Sequence, residues 1–472
     1  MGSYVDDITY AARRLARTPL FTIAGVLILA VGIGANTAAF TVVDAILFRP
    51  PPFEDPERIV SIYQDSDDGD PSSTSFPAYR DMAAMTGVFA GVAANSPSGA
   101  SWDTPELPRQ VSVEYVTSGY FPVLGLRPSR GRWFTQEHDQ VGVGAFAVVT
   151  HRTWVTKMNA DPGVVGSVIR LNEQPVTVLG VGPPNFNGRE GALVTDFWLS
   201  ISSTVVGGPF QVANLDRRED HWYDVKARLA PDVSLAQARA AMDALAGRLA
   251  SEFPEMNAGR GITVFANDEV RIHPAFDGRL LSAGMGLLGV VGLVLLLATS
   301  NLANLLLVRG VARSSEVAMR RALGASRMRV ARLFLFEALL LSGLGGAVGV
   351  LGARWVMDFV QGIPLPLPGG STIDVTMDYR VLLFSLILVL VTGTLFGLAP
   401  AARSAKADLA GAMRDDQSSS STSRGMSFLR NSLVGVQVAA CLVLLVGAGL
   451  LTRSLANLSD VDVGVDVERL AV

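Results

Sequence analysis

"LFTIAGVLILAVGIGANTAAFTVV", Leu20 to Val43, runs 24 residues without an ionisable side chain. A helix needs about 20 apolar residues to cross roughly 30 Å of hydrocarbon, so this stretch is long enough to span a bilayer. Its apolar core exceeds the roughly 7–15 residues of a cleaved signal peptide, which favours a retained anchor. Arg13, Arg14 and Arg17 precede it and place its N-terminal side in the cytoplasm by the positive-inside rule. Residues 1–19 then read as a cytoplasmic amphipathic segment and 20–48 as the first span.

Working outward, four more segments of this kind follow. They are "LLSAGMGLLGVVGLVLLLATSNLANLLLV" (Leu280–Val308), "LFLFEALLLSGLGGAVGVLGARWVMDFV" (Leu333–Val360), about Val381–Ala401 and about Leu433–Leu451. Charge in the connections alternates as the topology requires. Seven basic residues lie between Arg309 and Arg332, none between Gln361 and Tyr379, and five between Arg403 and Arg430. The first and third of these connections are expected inside and the second outside. The composition agrees: 17% of the 472 residues are charged and 49% are hydrophobic, against about 25% charged in soluble domains. Net charge −4 makes no case for nucleic acid. The single cysteine, Cys441, excludes an internal disulfide and reads as a small buried or lipid-facing residue.

Residues 49–279 lie between the first two spans and are expected outside the cytoplasm. A domain of this size translocates regardless of its own charge, so its 20 basic residues do not contradict the topology. Strand-like runs rich in β-branched residues include "QVSVEYV" (110–116), "FAVVTH" (146–151), "SVIRLN" (167–172), "PVTVLGVG" (175–182) and "ITVFAND" (262–268). Leu235–Phe253 reads as a helix capped by Ser234, with Leu235, Ala238, Met242, Leu245 and Leu249 on one face. "RIVSIYQ" and "WYDVKARL", each followed by a helical region, point to two α/β modules around a β-rich insertion. The fold class expected is therefore an α-helical membrane domain of five spans, with a large mixed α/β extracytoplasmic domain inserted after the first.

Motifs for catalysis are missing. The three lysines, Lys157, Lys226 and Lys406, follow no glycine, which excludes a P-loop of the standard kind. Neither H-E-x-x-H nor G-x-S-x-G occurs. His138, His151, His221 and His273 lack metal-ligand spacing and read as structural or surface residues. "DSDDGD" (65–70) lacks the remaining ligands of a calcium loop and reads as a solvated turn. No catalytic residue, metal or cofactor is assigned. Within the membrane, Glu337 is a functional candidate because buried carboxylates there are expensive. An interfacial place beside an arginine, one turn from Arg332, serves it equally. Gly345 and Gly349 have the G-x-x-x-G spacing that permits close helix approach.

The connection "SSEVAMRRALGASRMRVAR", Ser314–Arg332, carries more than a topology signal. Ser314 or Ser315 can cap a helix whose first turn holds Glu316; Gly324 suits its end, and Ser326 can cap the next helix. The result is a short helix at about 315–323. Met319 and Leu323 lie on one face, and Arg320 and Arg321 point away from it. Scattered arginines would satisfy topology and anionic lipid alone. A capped helix bounded by glycine is in addition a docking element.

These residues, with the span after them and "NLANLLLVRGVARSSE" before, resemble the coupling segment of MacB/FtsX-type permeases of ABC transporters. "ARRLARTPLFTIAGVLILAVGIGANTAAFTVVDAILFRPPPF" at the N-terminus is similar to the same family. So are "YVTSGYFPVLGLRPSRGRWF" (115–134) and "DPGVVGSVIRLNEQPVTVLGVGPPNFNG" (161–188), which resemble its periplasmic core domain. The resemblance covers essentially the whole chain, and its subgroup looks like the duplicated permeases of the acidobacterial type. It implies a MacB-like core domain over 49–279 and an FtsX-like permease domain over 280–402. After them come a Ser-rich cytoplasmic linker over 403–429, then a fifth span over 430–472, read as the start of a truncated second permease half in preference to a C-terminal helix with a tail. It also implies a bacterial inner-membrane location. A separate cytoplasmic ATPase would bind Glu316, Met319, Arg320, Arg321, Leu323, Gly324 and Ser326, and ATP-driven movement there would shift the periplasmic domain. Expected partners are that ATPase, a second permease half or a second copy, the lipid bilayer, and a periplasmic adaptor or hydrolase. A membrane-anchored sensor and an FtsX-like activator of cell-wall hydrolases are the alternatives. A plain sensor needs neither the third to fifth spans nor the arginine-bearing helix.

Overall fold

The computed structural model describes residues 4–66, 68–104, 107–140, 142–188, 193–206, 215–312, 319, 326–361, 372–406 and 420–459. The chain divides into a helical unit (Met1–Thr41, Gly284–Met357 and Met377–Val472) and an α/β unit (Val42–Ala283 with Asp358–Thr376). Helix α1 (Tyr4–Ala16) has Asp6 and Asp7 in its first turn and Arg13 and Arg14 in its last, so its charges complement the helix dipole. Pro19, pre-set for a first helical position, starts α2 (Pro19–Val43). A π-helical turn, Asp44–Phe48, follows it.

The α/β unit is built on one sheet. Its strands are β1 (Ile59–Asp65), β2 (Pro71–Ser72), β3 (Thr74–Ser75), β4 (Phe89–Trp102), β5 (Arg109–Val116), β6 (Arg130–Gly131), β7 (Phe146–Val149), β8 (Val168–Leu171), β9 (Gln174–Val181), β10 (Phe197–Ser200), β11 (His221–Leu229) and β12 (Ile262–Ala266). Helices α3 (Phe76–Ala83), α4 (Tyr120–Leu124), α5 (His151–Lys157), α6 (Leu235–Glu252) and α7 (Pro254–Asn257) lie between them. The strand order is β12-β1-β11-β4-β5-β10-β7-β9-β6, with β2 and β3 on β1 and β11, and β8 pairing β4 and β9. β1 and β11 pair antiparallel, Ile59 opposite Arg228 and Ile62 opposite Val225. The two strands read as starts of separate modules are therefore direct neighbours, with the β-rich insertion leaving between them.

Ser234 caps α6 in a reciprocal box with Gln237, and the helix buries Ala238, Met242, Leu245 and Leu249 on the sheet. The same core includes Ile62, Val225 and Val264. A second cluster centres on Phe121, Phe186 and Trp198. Phe186 stacks on Trp198 at 5.5 Å, and Trp133 on Phe121 at 3.8 Å. Buried Glu114 accepts hydrogen bonds from Asn95 Nδ2 (2.8 Å) and Trp198 Nε1 (3.0 Å).

Three features differ from the sequence reading. β7 stops at Val149, because Thr150 accepts a bond from the Thr153 amide (3.3 Å) and makes His151 the first residue of α5. β4 has a single β-branched residue, Val92, and carries Pro97 in its interior, yet it pairs with β11 over Phe89–Asn95 and with β5 over Asn95–Trp102. Helix α11 (below) starts inside the Ser-rich stretch read as a linker, since residues of modest propensity can extend a helix already nucleated by a long apolar run.

The helical unit continues with α8 (Pro274–Ala312), α9 (Arg327–Gln361), α10 (Tyr379–Lys406) and α11 (Ser420–Ser459). Among the described residues, Pro19–Phe48, Pro274–Leu305, Met328–Gln361 and Val434–Ser454 are long and apolar enough to cross a membrane. The segment expected at Val381–Ala401 falls in α10, whose apolar stretch Tyr379–Leu395 is shorter. Glycines set the packing of α2, α9 and α10. A Cβ on Gly345 would meet Leu29 Cβ at 2.6 Å, and one on Gly346 would run into Val389 Cγ2. A Cβ on Gly397 would meet the Leu335 backbone at 2.8 Å. Polar side chains join the same helices: Thr37 and Ser385 hydroxyls lie 2.9 Å apart, and Asn36 Nδ2 donates to the Val291 carbonyl of α8 (2.7 Å). Phe40 stacks on Phe384 at 4.0 Å.

Candidate functional site

The site is the start of α9, where the arginine-rich connection enters a long apolar helix. Ser326 accepts a hydrogen bond from the Arg329 amide at 3.3 Å, so it caps α9 as its residue type predicts. Met319 is helical and 64% exposed. Glu316, Arg320, Arg321, Leu323 and Gly324 lie outside the described residues.

What supports this helix start comes from the N-terminus of the chain. Helix α1 buries Asp7, Ala11 and Leu15, one stripe at a spacing of four. Leu15 joins Leu29, Ile33, Leu302, Ala338 and Leu341 in a single apolar cluster. Two ion pairs flank this stripe. Asp7 pairs with Arg332, whose guanidinium also lies over the Tyr4 ring at 4.5 Å. Arg14 pairs with Glu337 at 3.8 Å. Glu337 is only 5% exposed, and a carboxylate so buried needs a cation to offset lost hydration. A partner is Arg14, from the far end of the sequence, while the neighbouring Arg332 pairs with Asp7. The i, i+4, i+8 stripe that places an aspartate beside Ala11 and Leu15 is the signal that could have revealed this contact.

The arrangement makes two ion pairs between α1 and α9 and packs Leu15 into the apolar cluster of the membrane helices. Among the described residues, no group of three or more His, Cys, Asp or Glu is placed to hold a metal ion. His138 has a structural role: its Nδ1 accepts from the Thr135 amide at 3.0 Å in a capping box. Cys441 is exposed on α11.

Comparison with known proteins gives the helix start and the sheet a common context. Residues 22–245 match the MacB-like periplasmic core domain, and residues 288–409 match the FtsX-like permease C-terminal domain. The chain belongs to the MacB/FtsX-type ABC transporter permeases. The permease is 28% identical over 299 residues to a macrolide export ATP-binding/permease protein MacB 1/2 of Paracoccus denitrificans, covering 63% of this chain and 41% of that one. It is 25% identical over 429 residues to MacB of Escherichia coli O157:H7, covering 86% and 60%. With the uncharacterized ABC transporter permease YknZ of Bacillus subtilis it shares 24% identity over 314 residues, covering 64% and 70%. The permease thus spans less than half the length of the first of these relatives. Among solved structures, the periplasmic region of MacB from Actinobacillus actinomycetemcomitans is similar at 15% identity and TM-score 0.32, covering 45% of this chain and 89% of that one. The extracellular domain of YknZ is similar at 17% identity and TM-score 0.32, covering 43% and 99%. The permease combines a membrane domain with a large extracytoplasmic domain.

Proposed function

We propose that this permease is a subunit without catalysis of its own, driven by a separate cytoplasmic ATPase that docks on Glu316–Ser326. Nucleotide-driven movement of the ATPase is passed through the membrane helices to the periplasmic domain, the mode of action called mechanotransmission, and serves export or extrusion of a substrate. The topology has five spans and a cytoplasmic N-terminus. The subgroup is that of duplicated permeases, in which a second half or a second copy completes the transporter. One observation carries the reading. The helix that begins directly after the arginine-rich connection is capped by Ser326 and tied by Arg332 and Glu337 to α1. Force applied to the connection is therefore delivered to a buttressed helix, and from it to α2 and α10 through glycine contacts.

The test is co-purification. Replacing Arg320 and Arg321 with glutamate is expected to abolish recovery of the cognate ATPase while membrane insertion stays intact. Undiminished ATPase binding by that double variant rejects the docking assignment. Cysteine labelling in a C441S background tests the topology separately: G324C is expected to react only from the cytoplasmic side and G247C, on the exposed face of α6, only from the other.

A further inference from the structure

The α/β unit encloses a cavity of about 280 Å³ that the coupling reading does not use. Its walls come from four separate pieces of chain. Ile46, Arg49 and the prolines at 50–52 follow directly on α2; Asn185–Asn187 follow β9; Asn267–Arg271 follow β12; and Asp374 lies in the segment that leads into α10. Specific contacts build the site. Ile373 forms a β-bridge with Leu193, the Val194 amide donates to the Thr372 carbonyl (2.9 Å), and Asn187 Nδ2 donates to Asp374 Oδ2 (2.8 Å). Arg49 is held against the Thr376 carbonyl at 2.7 Å.

Three acceptor oxygens in this lining are buried and, among the described residues, make no hydrogen bond: Asn187 Oδ1, Asn267 Oδ1 and Asp374 Oδ1. Asn267 as a whole is only 8% exposed. Buried acceptors are almost always satisfied, because each orphan costs about 1–3 kcal/mol. All three groups need an N–H or O–H donor, while Arg49 Nε in the same lining is a buried donor that needs an acceptor. One of them is a carboxylate, which favours a charged donor. A primary ammonium has three N–H groups, one for each oxygen. Arg271, a residue of the same lining, carries the complement for a carboxylate. Phe186, Pro51 and Ile46 supply apolar wall between these polar groups. Ligand pockets usually measure about 300–1,000 Å³, so this one suits a molecule at the small end of that scale.

We propose that this cavity binds a small zwitterion of the α-amino acid class, its ammonium held by Asn187, Asn267 and Asp374 and its carboxylate by Arg271. Occupancy joins the segment after α2 to the segment before α10, so the ligand acts as a brace between the two lead-ins of the α/β unit.

The test uses the full-length chain in detergent, titrated by calorimetry with the twenty standard L-amino acids and, for any that bind, with their methyl esters and N-acetyl forms. Saturable binding of at least one free amino acid is expected. Its affinity should fall about tenfold or more when either charged end is blocked, and similarly in D374N and R271Q. No saturable binding by any of the twenty, the result of a cavity that holds only water, overturns the proposal. So does equal binding of the blocked forms, a result read on the native protein and independent of whether the variants fold.

Discussion

Gly34 of α2 and Gly349 of α9 meet backbone against backbone: a Cβ on Gly34 would stand 2.9 Å from the Gly349 carbonyl oxygen, and one on Gly349 would stand 2.8 Å from that of Ala30. Approach this close gives two apolar helices their van der Waals contact without help from water. G34V and G349V are expected to cost about 1–3 kcal/mol through forced separation. A lower thermal midpoint of the full-length protein in detergent reads this out. Gly292, where a Cβ meets nothing within 4 Å, is the control, and G292A should leave the midpoint unchanged or raise it. A native midpoint for G349V means the contact is dispensable.

Arg14 and Glu337 should be coupled energetically. Removing either leaves a charge facing a poorly hydrated site, so R14Q and E337Q are each expected to destabilise, and the double variant by less than their sum. Contacting pairs of this kind give interaction energies of about 0.5–3 kcal/mol. Because Arg14 keeps 20% side-chain exposure, the lower half of that range is expected. Additive losses in a double-mutant cycle disprove direct pairing.

Asp139 gives the α/β unit a pH dependence. Burial raises its carboxyl above the ordinary value, although hydrogen bonds from the Ser118 amide (2.9 Å) and hydroxyl (2.5 Å) partly oppose this. With the folded value raised, the folded state binds the proton more tightly than the unfolded chain. The stabilisation is complete below the unfolded value, about 3.9, and is lost as pH rises through the folded one. Denaturant unfolding of the native protein and D139N across that window should show the native protein losing stability relative to the variant as pH rises. Parallel curves contradict the assignment.

The turn between β8 and β9 holds Asn172 at φ 48° and Glu173 at φ 65°. Two consecutive left-handed residues make the turn type that matches the twist of a hairpin, and Asn tolerates that region better than Glu does. E173G should therefore stabilise by up to about 1 kcal/mol, after the added entropy of glycine in the unfolded chain. Arg170 donates to the Glu173 backbone carbonyl at 2.5 Å, a contact the substitution keeps. A drop in midpoint would show that the Glu173 side chain contributes something its turn geometry does not.

Local signals made the membrane-length helices legible. Apolar runs longer than a bilayer is thick, flanked by arginines, announce their type without reference to any neighbour, and Ser326 marks the start of α9. The same holds for α6, where Ser234, Gln237 and a four-residue apolar stripe agree on one helix. β11 and β12 are likewise plain from alternating or β-branched sequence.

Other features depended on partners distant in sequence. β4, "FAGVAANSPSGASW", consists mostly of small residues with weak intrinsic preference, and it is a strand because β11 pairs its first half and β5 its second. The carboxylate of Glu337 could be read as costly but not matched to a cation, since Arg14 lies more than 300 residues away. The cavity between the segment after α2 and Asp374 is likewise a product of chain reversal alone. Sequence by itself determined which stretches become long apolar helices, because hydrophobic length acts locally, although the helices extend beyond the apolar runs that mark them. Only tertiary structure decided which charges pair, which glycines touch and which oxygens face inward, because burial and pairing are properties of neighbours that the chain order does not contain.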